Sequence, residues 1–384
     1  MPNLPKPQTS RSISADVPDS EEFNPTRLTL ARKRRGLTKA ELAEKIGVDP
    51  RAITAFESGE YPPSEDTLRS ISGVLTFPLT FFFGPTIEEP CIETASFRAL
   101  TKMTASQRDR ALSGGTLALC FNKFIEARFE LPKADLPDLG KETSPESAAV
   151  SLRRYWGIGE LTVRNMVHLL EAKGIRVFSL AIDAREVDAY SFWDNGTPFV
   201  FLNTYKTAEH SRYDAAHELG HLVLHRHGGP KGREAEIEVN SFASAFLMPR
   251  GDIIANAPRF PSFWDLAKAK KRWKTSVAAL AYRMHAVGML SDWQYRTLCI
   301  EIVKYGRDRE PEECPRETSL VLPAVFSALY EDGVTRSDVA RELRITTSEL
   351  EQMMFGLTMT SVEGGRQTSN TKKGEPRLRL VQKG

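Results

Sequence analysis

One segment, AAHELGHLVLH at residues 215–225, restricts the possible structures of this chain more than any other. His217 and His221 are four residues apart, and in an α-helix that spacing puts two side chains on one face, one turn apart. The flanking positions are apolar, so the pattern predicts a buried helix whose polar groups need a purpose. Gly220 inside this helix costs ~1 kcal/mol relative to alanine, which indicates close approach of another backbone there.

The two imidazoles are placed to hold one metal ion at ~2.0–2.1 Å, a distance typical of zinc. Glu218 lies on a neighbouring face. Because zinc acidifies water and polarises carbonyl groups, the pattern predicts a hydrolase helix with Glu218 as the base that moves a proton to the leaving amine. The alternative is a charged helix that binds no metal. A catalytic zinc has three protein ligands, and the stretch REAEIEVNSFASAFLMP offers Glu236 and Glu238 as candidates for the third.

The region from about residue 23 to 84 has closely spaced helix signals. Thr38 and Glu41 have the spacing of a capping box, and Asp49 followed by Pro50 is typical of a helix start. Short helices joined by a tight, glycine-containing turn predict a helix-turn-helix module. The alternative is a small helical bundle with a solvated basic face.

In a helix-turn-helix module the third helix lies in the major groove of double-stranded DNA. The predicted outward residues of that helix, with a lysine at the start of the second helix, are the candidate DNA-binding residues: Lys39, Arg51, Ala52, Thr54, Ala55 and Ser58. Arg51 would read a guanine, and the basic run at residues 32–35 would face outward and contact phosphates.

Composition limits the remaining possibilities. A length of 384 residues allows two or three domains, and a formal net charge of +2 excludes an argument for nucleic-acid binding from bulk charge. Four scattered cysteines without a CxxC pair argue against a disulfide scaffold or a cysteine-rich zinc site. Since no apolar run has the length of a membrane span and the N-terminus lacks a signal-peptide core, we expect a soluble, cytoplasmic protein without a membrane partner.

Composition shifts and helix breakers divide the chain into six predicted segments. These are a disordered lead (1–20), a helix-turn-helix DNA-binding domain (21–84), a helical linker (85–145), a metallopeptidase-like domain (146–305), a C-terminal helical region (306–363) and a flexible basic tail (364–384). In the fourth segment AAVSLRRYWG and VRNMVHLLEAKG have helical patterns, whereas IRVFSL and TPFVFLN are β-rich. We therefore expect an α+β chain: an all-α N-terminal bundle, a central mixed α/β domain and a helical C-terminal region.

Two stretches resemble known families. GLTKAELAEKIGVDPRAITAFESGEYPPSEDTL resembles the Xre/Cro family of helix-turn-helix repressors, which implies binding to operator DNA, usually as a homodimer. Roughly residues 146–300, with LRRYWGIG, VHLLEAKGIRVFSL, AAHELGHLVLH and ExxVNSFASAFLMP, resemble the ImmA/IrrE metallopeptidases. This resemblance implies a zincin-like, gluzincin-type site in which His217, His221 and Glu236 bind Zn²⁺ and Glu218 is the base.

Three details of the second resemblance bear on the site. Val239 stands where the family usually has alanine, and Asp214 departs from the family pattern before the motif. His225, one further turn along the helix, is either a group that supports the ligands or the substrate, or a structural histidine.

The combination predicts a DNA-binding transcriptional regulator with a zinc-dependent endopeptidase domain. The resemblance implies that the peptidase cleaves a specific protein, a repressor or the chain itself, in a stress or mobile-element response. One alternative is a non-proteolytic transcription factor whose zinc domain senses or binds a partner. Another is an antitoxin-like regulator.

Overall fold

The computed structural model describes residues 22–88, 103–180, 189–227, 232–306, 309–358 and 381–382. The chain forms two compact units, one of Met1–Glu88 with Ser337–Thr347 and the other of Glu89–Arg336 with Ser348–Gly384. The predicted disordered lead at 1–20 lies outside the described residues, and so does the predicted tail at 364–384 apart from residues 381–382.

The first unit begins with a helical bundle, as predicted. Its helices are α1 (Pro25–Arg34), α2 (Lys39–Ile46), α3 (Pro50–Ser58) and α4 (Glu65–Leu75), followed by a 3₁₀ helix (Leu79–Phe83). Thr38 and Glu41 form the predicted capping box, and Asp49 caps α3 with Pro50 in its first turn. α2 ends at Gly47, whose φ of 73° lies in the left-handed region that glycine adopts without strain. The helix-turn-helix prediction is therefore confirmed.

The second unit contains a small mixed sheet. The strands are β1 (Phe129–Glu130), β2 (Arg176–Ser179), β3 (Tyr190–Asp194), β4 (Thr197–Leu202) and β5 (Val381–Gln382). The mixed sheet has three strands in the order β2–β4–β3, with β2 parallel and β3 antiparallel to β4. β1 and β5 form a separate antiparallel pair. β2 and β4 are the two predicted β-rich segments. β3 was not predicted, although Asn195 and Gly196, at φ of 45° and 80°, form the tight turn that joins it to β4.

Helices make up most of the rest. They are α5 (Ala105–Arg128), α6 (Pro145–Tyr155), α7 (Met166–Ala172), α8 (Ala208–Leu224), α9 (Arg233–Leu247), α10 (Arg250–Asn256), α11 (Phe263–Ala269), α12 (Val277–Ala286), α13 (Asp292–Tyr305), α14 (Val321–Glu331), α15 (Arg336–Glu342) and α16 (Thr347–Met354). The predicted fold class, an all-α N-terminal module, a central α/β region and a helical C-terminal region, is confirmed.

The sheet of the second unit is covered on both faces. On one face Tyr190 of β3 packs against α5, where its hydroxyl donates to the carbonyl of Ala111 over 3.0 Å. A Cβ at Gly115 of α5 would lie 2.6 Å from the Tyr190 hydroxyl, so this contact requires glycine. On the other face Trp193 Nε1 donates to the carbonyl of Leu222 of α8 over 3.3 Å. α5 lies in the segment expected as a helical linker and is a packed core helix of this unit.

Buried charges connect the segment after α13 to α8. The Lys270 ammonium is fully buried, 2.5 Å from Glu209 Oε1 and 3.3 Å from Glu310 Oε2. Burial alone would lower the pKa of Lys270, but the hydrogen bond and negative charge of Glu209, with Glu310, raise it above its usual value. The backbone N–H of Cys314 donates to the same Glu209 oxygen over 2.8 Å. This part of the chain is therefore held to the start of α8 by groups that water does not reach.

Candidate metal centre

Helices α8 and α9 bring three ligand groups together. His217 Nε2 lies 3.8 Å from Glu236 Oε2, and His221 Nε2 lies 3.6 Å from Glu236 Oε1. Two atoms that each lie ~2.0–2.2 Å from one ion are at most ~4.4 Å apart, and both distances satisfy this limit. Among the described residues, the His, Cys, Asp and Glu side chains close enough together to hold one metal ion are those of His217, His221 and Glu236.

The local sequence explains why α8 and α9 approach so closely. α8 is capped by Thr207, whose hydroxyl accepts a hydrogen bond from the His210 N–H. A Cβ at Gly220 would lie 3.0 Å from the Phe242 ring and 3.2 Å from Val239 Cβ, so glycine opens the space that these α9 side chains fill. A close approach at Gly220 is therefore present, but side chains of α9 make it, and not another backbone as the sequence had led us to expect.

Both ligand imidazoles are also held at the ring nitrogen that faces away from Glu236. His217 Nδ1 lies 3.2 Å from Asn240 Oδ1, and His221 Nδ1 lies 3.3 Å from His225 Nδ1. If each ligand presents the Nε2 lone pair to a metal, each Nδ1 carries a proton and donates it to these acceptors. Asn240 was not predicted as a functional residue. Its sequence signal is its position one helical turn after Glu236.

His225 and Glu238 extend this arrangement away from the ligands. His225 Nε2 lies 2.9 Å from Glu238 Oε2, so Glu238, the other candidate third ligand, is engaged with His225. Burial lowers the pKa of His225 and outweighs the opposing effect of the Glu238 carboxylate, which favours a neutral ring that accepts at Nδ1 and donates at Nε2. The structure thus groups Glu236, not Glu238, with the two motif histidines.

Glu218 lies on the side of α8 that faces the sheet. It is only 2% exposed, and its Oε2 accepts a 2.7 Å hydrogen bond from the Ser191 hydroxyl of β3. Ser191 was not predicted as a functional residue. Because the contact depends on the packing of β3 against α8, no local sequence pattern indicates it.

The candidate DNA-binding residues of α2 and α3 are only partly on the surface. Arg51, Thr54 and Ser58 are exposed, whereas Ala52 is half-buried. The Lys39 ammonium lies 3.4 Å from Glu57 Oε2. The prediction that Ala55 faces outward is wrong: it is 6% exposed, because α3 packs against both α1 and α2 and so buries more than one stripe of side chains.

The expected outward orientation of the basic run at 32–35 is also wrong in part. Arg32 and Arg34 are buried. Arg32 donates from Nε and Nη2 to the two oxygens of Glu57 over 2.6 and 3.0 Å, and from Nη1 to the Leu37 carbonyl over 2.7 Å. These contacts fasten α1 to α3, so the phosphate-binding role predicted for this run does not apply to Arg32.

Comparison with known families identifies two regions of the chain. Residues 28–82 match a helix-turn-helix family, and residues 170–285 match a peptidase family described as the IrrE N-terminal-like domain. No curated protein matches the chain. Among the described residues, no helix has the length and apolar character needed to cross a membrane. The chain therefore joins a helix-turn-helix domain of the Xre/Cro type to an ImmA/IrrE-type domain, which is the architecture of a DNA-binding regulator with a peptidase-family domain.

Proposed function

We propose that the second unit is a zinc-dependent endopeptidase and that the chain uses it as a transcriptional regulator. The observation that carries the enzymatic part is the convergence of His217 Nε2 and His221 Nε2 on the Glu236 carboxylate. Two imidazoles and one carboxylate are a donor set found in catalytic zinc sites, in which a fourth position stays open. Zinc bound there would polarise a peptide carbonyl and acidify water.

In this proposal Glu218 carries out the proton transfers. As water adds to the carbonyl carbon it loses a proton to the Glu218 carboxylate, which passes that proton to the leaving nitrogen as the C–N bond breaks. The Ser191 hydroxyl donates to Glu218 Oε2 and so fixes the direction in which the carboxylate points. Because Glu218 is almost completely buried, few waters compete for its proton.

We propose that the substrate is a specific protein: a helix-turn-helix repressor or this chain itself. A DNA-binding module on the same chain supports this choice, because it raises the effective concentration of the peptidase near other DNA-bound proteins. Cleavage of such a repressor would relieve silencing, in keeping with a role in a stress or mobile-element response.

The first test is the metal content of the purified protein by elemental analysis. We expect about one zinc per chain, lost in His217→Ala and in Glu236→Ala, since a catalytic zinc needs three protein ligands. Glu234→Ala is the matched control, because Glu234 is exposed in the first turn of the same helix and outside the ligand group. Zinc-free wild-type protein would contradict the enzymatic proposal.

The second test is cleavage. Intact-mass analysis would follow zinc-loaded protein alone and with helix-turn-helix repressors encoded near its gene. A product formed by the wild type and lost in Glu218→Gln, with zinc content unchanged, is expected if Glu218 moves the proton. If zinc is bound but no partner is cut, the protein is instead a non-proteolytic sensor or an antitoxin-like regulator.

We also propose that α3 reads operator DNA. Arg51→Ala should weaken the binding free energy for the preferred base at one position by about 1–3 kcal/mol, because a bidentate arginine–guanine contact is lost. Lys39→Ala should weaken binding to all DNA sequences about equally. It should also reduce the slope of log binding constant against log salt concentration by about 1, as expected when a phosphate contact is lost. Selection from random DNA measures both. Paired half-sites in the selected sequences would indicate the expected homodimer, and an Arg51→Ala variant with unchanged base preference would contradict the assignment.

A further inference from the structure

A cavity of about 500 Å³ lies at the start of α8, and its described lining does not include the three candidate ligand side chains. Its walls come from the beginning of α8, from α11, from the first turn of α12, from the end of α13 and from residues 309–311. Ligand pockets in proteins typically measure ~300–1,000 Å³, so this cavity can hold at least one large side chain with its neighbours.

The cavity lies next to the metal centre along α8. His210 and Tyr213 line it, seven and four residues before His217. With a rise of about 1.5 Å per residue, they are ~10 and ~6 Å from His217 along the helix axis. The Tyr213 hydroxyl donates to the carbonyl of Asn240, the residue whose side chain accepts from His217. An extended peptide spans about 3.3 Å per residue, so a substrate at the metal centre would reach the cavity within about three residues.

Four aromatic side chains contribute to the cavity walls. Rings from Tyr205, Tyr213, Phe263 and Tyr305 line it, and Phe263 and Tyr305 lie in contact at 5.2 Å between ring centres. Such walls favour a large apolar or aromatic side chain, since burying it removes apolar surface from water.

The charged groups of the cavity are mainly positive. Among the described residues that line it, Lys206 and Arg309 are cationic and Glu310 is acidic. The Glu310 carboxylate is balanced by the buried Lys270 ammonium at 3.3 Å and accepts from the Val277 N–H over 3.2 Å. A ligand therefore meets an excess of positive charge, which favours a carboxylate and disfavours lysine or arginine.

We propose that this cavity is the specificity site of the peptidase and takes a peptide segment in which an acidic residue precedes a large apolar or aromatic residue. The inference rests on the proposed function, because it assumes that the chain at the metal centre is a peptide. The aromatic walls hold the apolar side chain, and Lys206 and Arg309 pair with the carboxylate.

Binding of fluorescein-labelled decapeptides, followed by fluorescence anisotropy, tests the proposal. The protein is the full-length, zinc-loaded Glu218→Gln variant, which should not turn the peptides over, and the peptides carry Glu-Phe, Lys-Phe or Glu-Ala in a Gly-Ser background. We expect Glu-Phe to bind at least about tenfold more tightly than either of the others, as for loss of a charge-assisted or a buried apolar contact.

Further substitutions locate the binding. Ala278→Trp fills the cavity from the exposed side of α12 and should abolish the preference for Glu-Phe. Lys206→Glu should shift the preference toward Lys-Phe. Lys123→Glu makes the same charge change on the exposed surface of α5 and should leave all three affinities unchanged.

Equal binding of Glu-Phe and Lys-Phe, full binding in Ala278→Trp, or no binding of any peptide would overturn the inference. The same peptides incubated with wild-type protein and analysed by mass spectrometry separate the two proposals. Preferential binding without cleavage contradicts the peptidase alone, whereas cleavage without preference contradicts the specificity site alone.

Discussion

In the proposed metal site, each candidate ligand histidine has a role for both ring nitrogens, and only the role of Nε2 follows from the motif. The His-Glu-x-x-His spacing identifies His217 and His221 but says nothing about what their Nδ1 atoms contact. Asn240 could have been predicted, since it shares a helix face with Glu236. Ser191 could not, because its contact with Glu218 exists only once β3 has paired with β4 and α8 has packed on the sheet.

The outer partners of the imidazoles should affect metal affinity. We expect Asn240→Ala and His225→Ala each to raise the dissociation constant for zinc by about 10–100-fold, because the partner of Nδ1 fixes the tautomer and orientation of the ligand ring. Competition with a chromophoric chelator measures this. His227→Ala is the control, since His227 is exposed and 3.9 Å from Asp138. Wild-type affinity in both test variants would show that the ligand rings are fixed by packing alone.

The basic run at residues 32–35 shows that charged residues in a sequence cannot all be assumed to lie on the protein surface. Four consecutive helical residues are spread over about 300° of the helix circumference, so they cannot all face outward when the helix packs on two neighbours. α1 contacts both α3 and the 3₁₀ helix, and Arg32 and Arg34 fall on the buried side. The Glu57 carboxylate makes this tolerable for Arg32 by supplying a charged acceptor.

At the scale of helices and strands, the sequence was sufficient to predict a helix start where neighbouring residues cap the helix. The capping box of α2 and the Asp-Pro start of α3 need only a few neighbouring residues, and both were predicted correctly. The role of α5 was harder to predict. Its contact with the sheet passes through Gly115 and Tyr190, which are far apart in sequence, so nothing local distinguishes it from a spacer.

The buried ion pairs near the start of α8 give an element-scale prediction. Lys270→Met should reduce the free energy of unfolding of the second unit by about 3–5 kcal/mol, because it leaves the Glu209 and Glu310 carboxylates buried without their cation. Lys271→Met is the adjacent control: Lys271 pairs with Glu312 on the surface and should contribute less than about 1 kcal/mol. Urea denaturation measures both. Similar losses for the two variants would mean that burial of Lys270 adds nothing.

At the scale of the whole molecule, all three candidate metal ligands belong to one of the two compact units. A ligand that binds only the folded form stabilises the unit that carries its site, by about 2.7 kcal/mol at a free concentration 100 times the dissociation constant. The other unit gains nothing directly.

Calorimetry should therefore show selective stabilisation. Adding zinc to metal-free protein is expected to raise the melting temperature of the second unit and to leave that of the helix-turn-helix unit unchanged. The same titration of His217→Ala should shift neither transition. An equal shift of both transitions in the wild type would mean that the units unfold together.

The division of the chain has a consequence for any self-cleavage. Ser337–Thr347 belongs to the first unit, while the residues on either side of it belong to the second, and Arg344 Nη1 donates to the Thr80 carbonyl over 3.4 Å. A single cut between residues 89 and 102 would sever the covalent link to the DNA-binding module but leave its fragment bound to Ser337–Thr347, the segment that contains most of α15. Scission and release would thus be separate events, and the DNA-binding module would leave only at the rate at which its fragment dissociates from Ser337–Thr347.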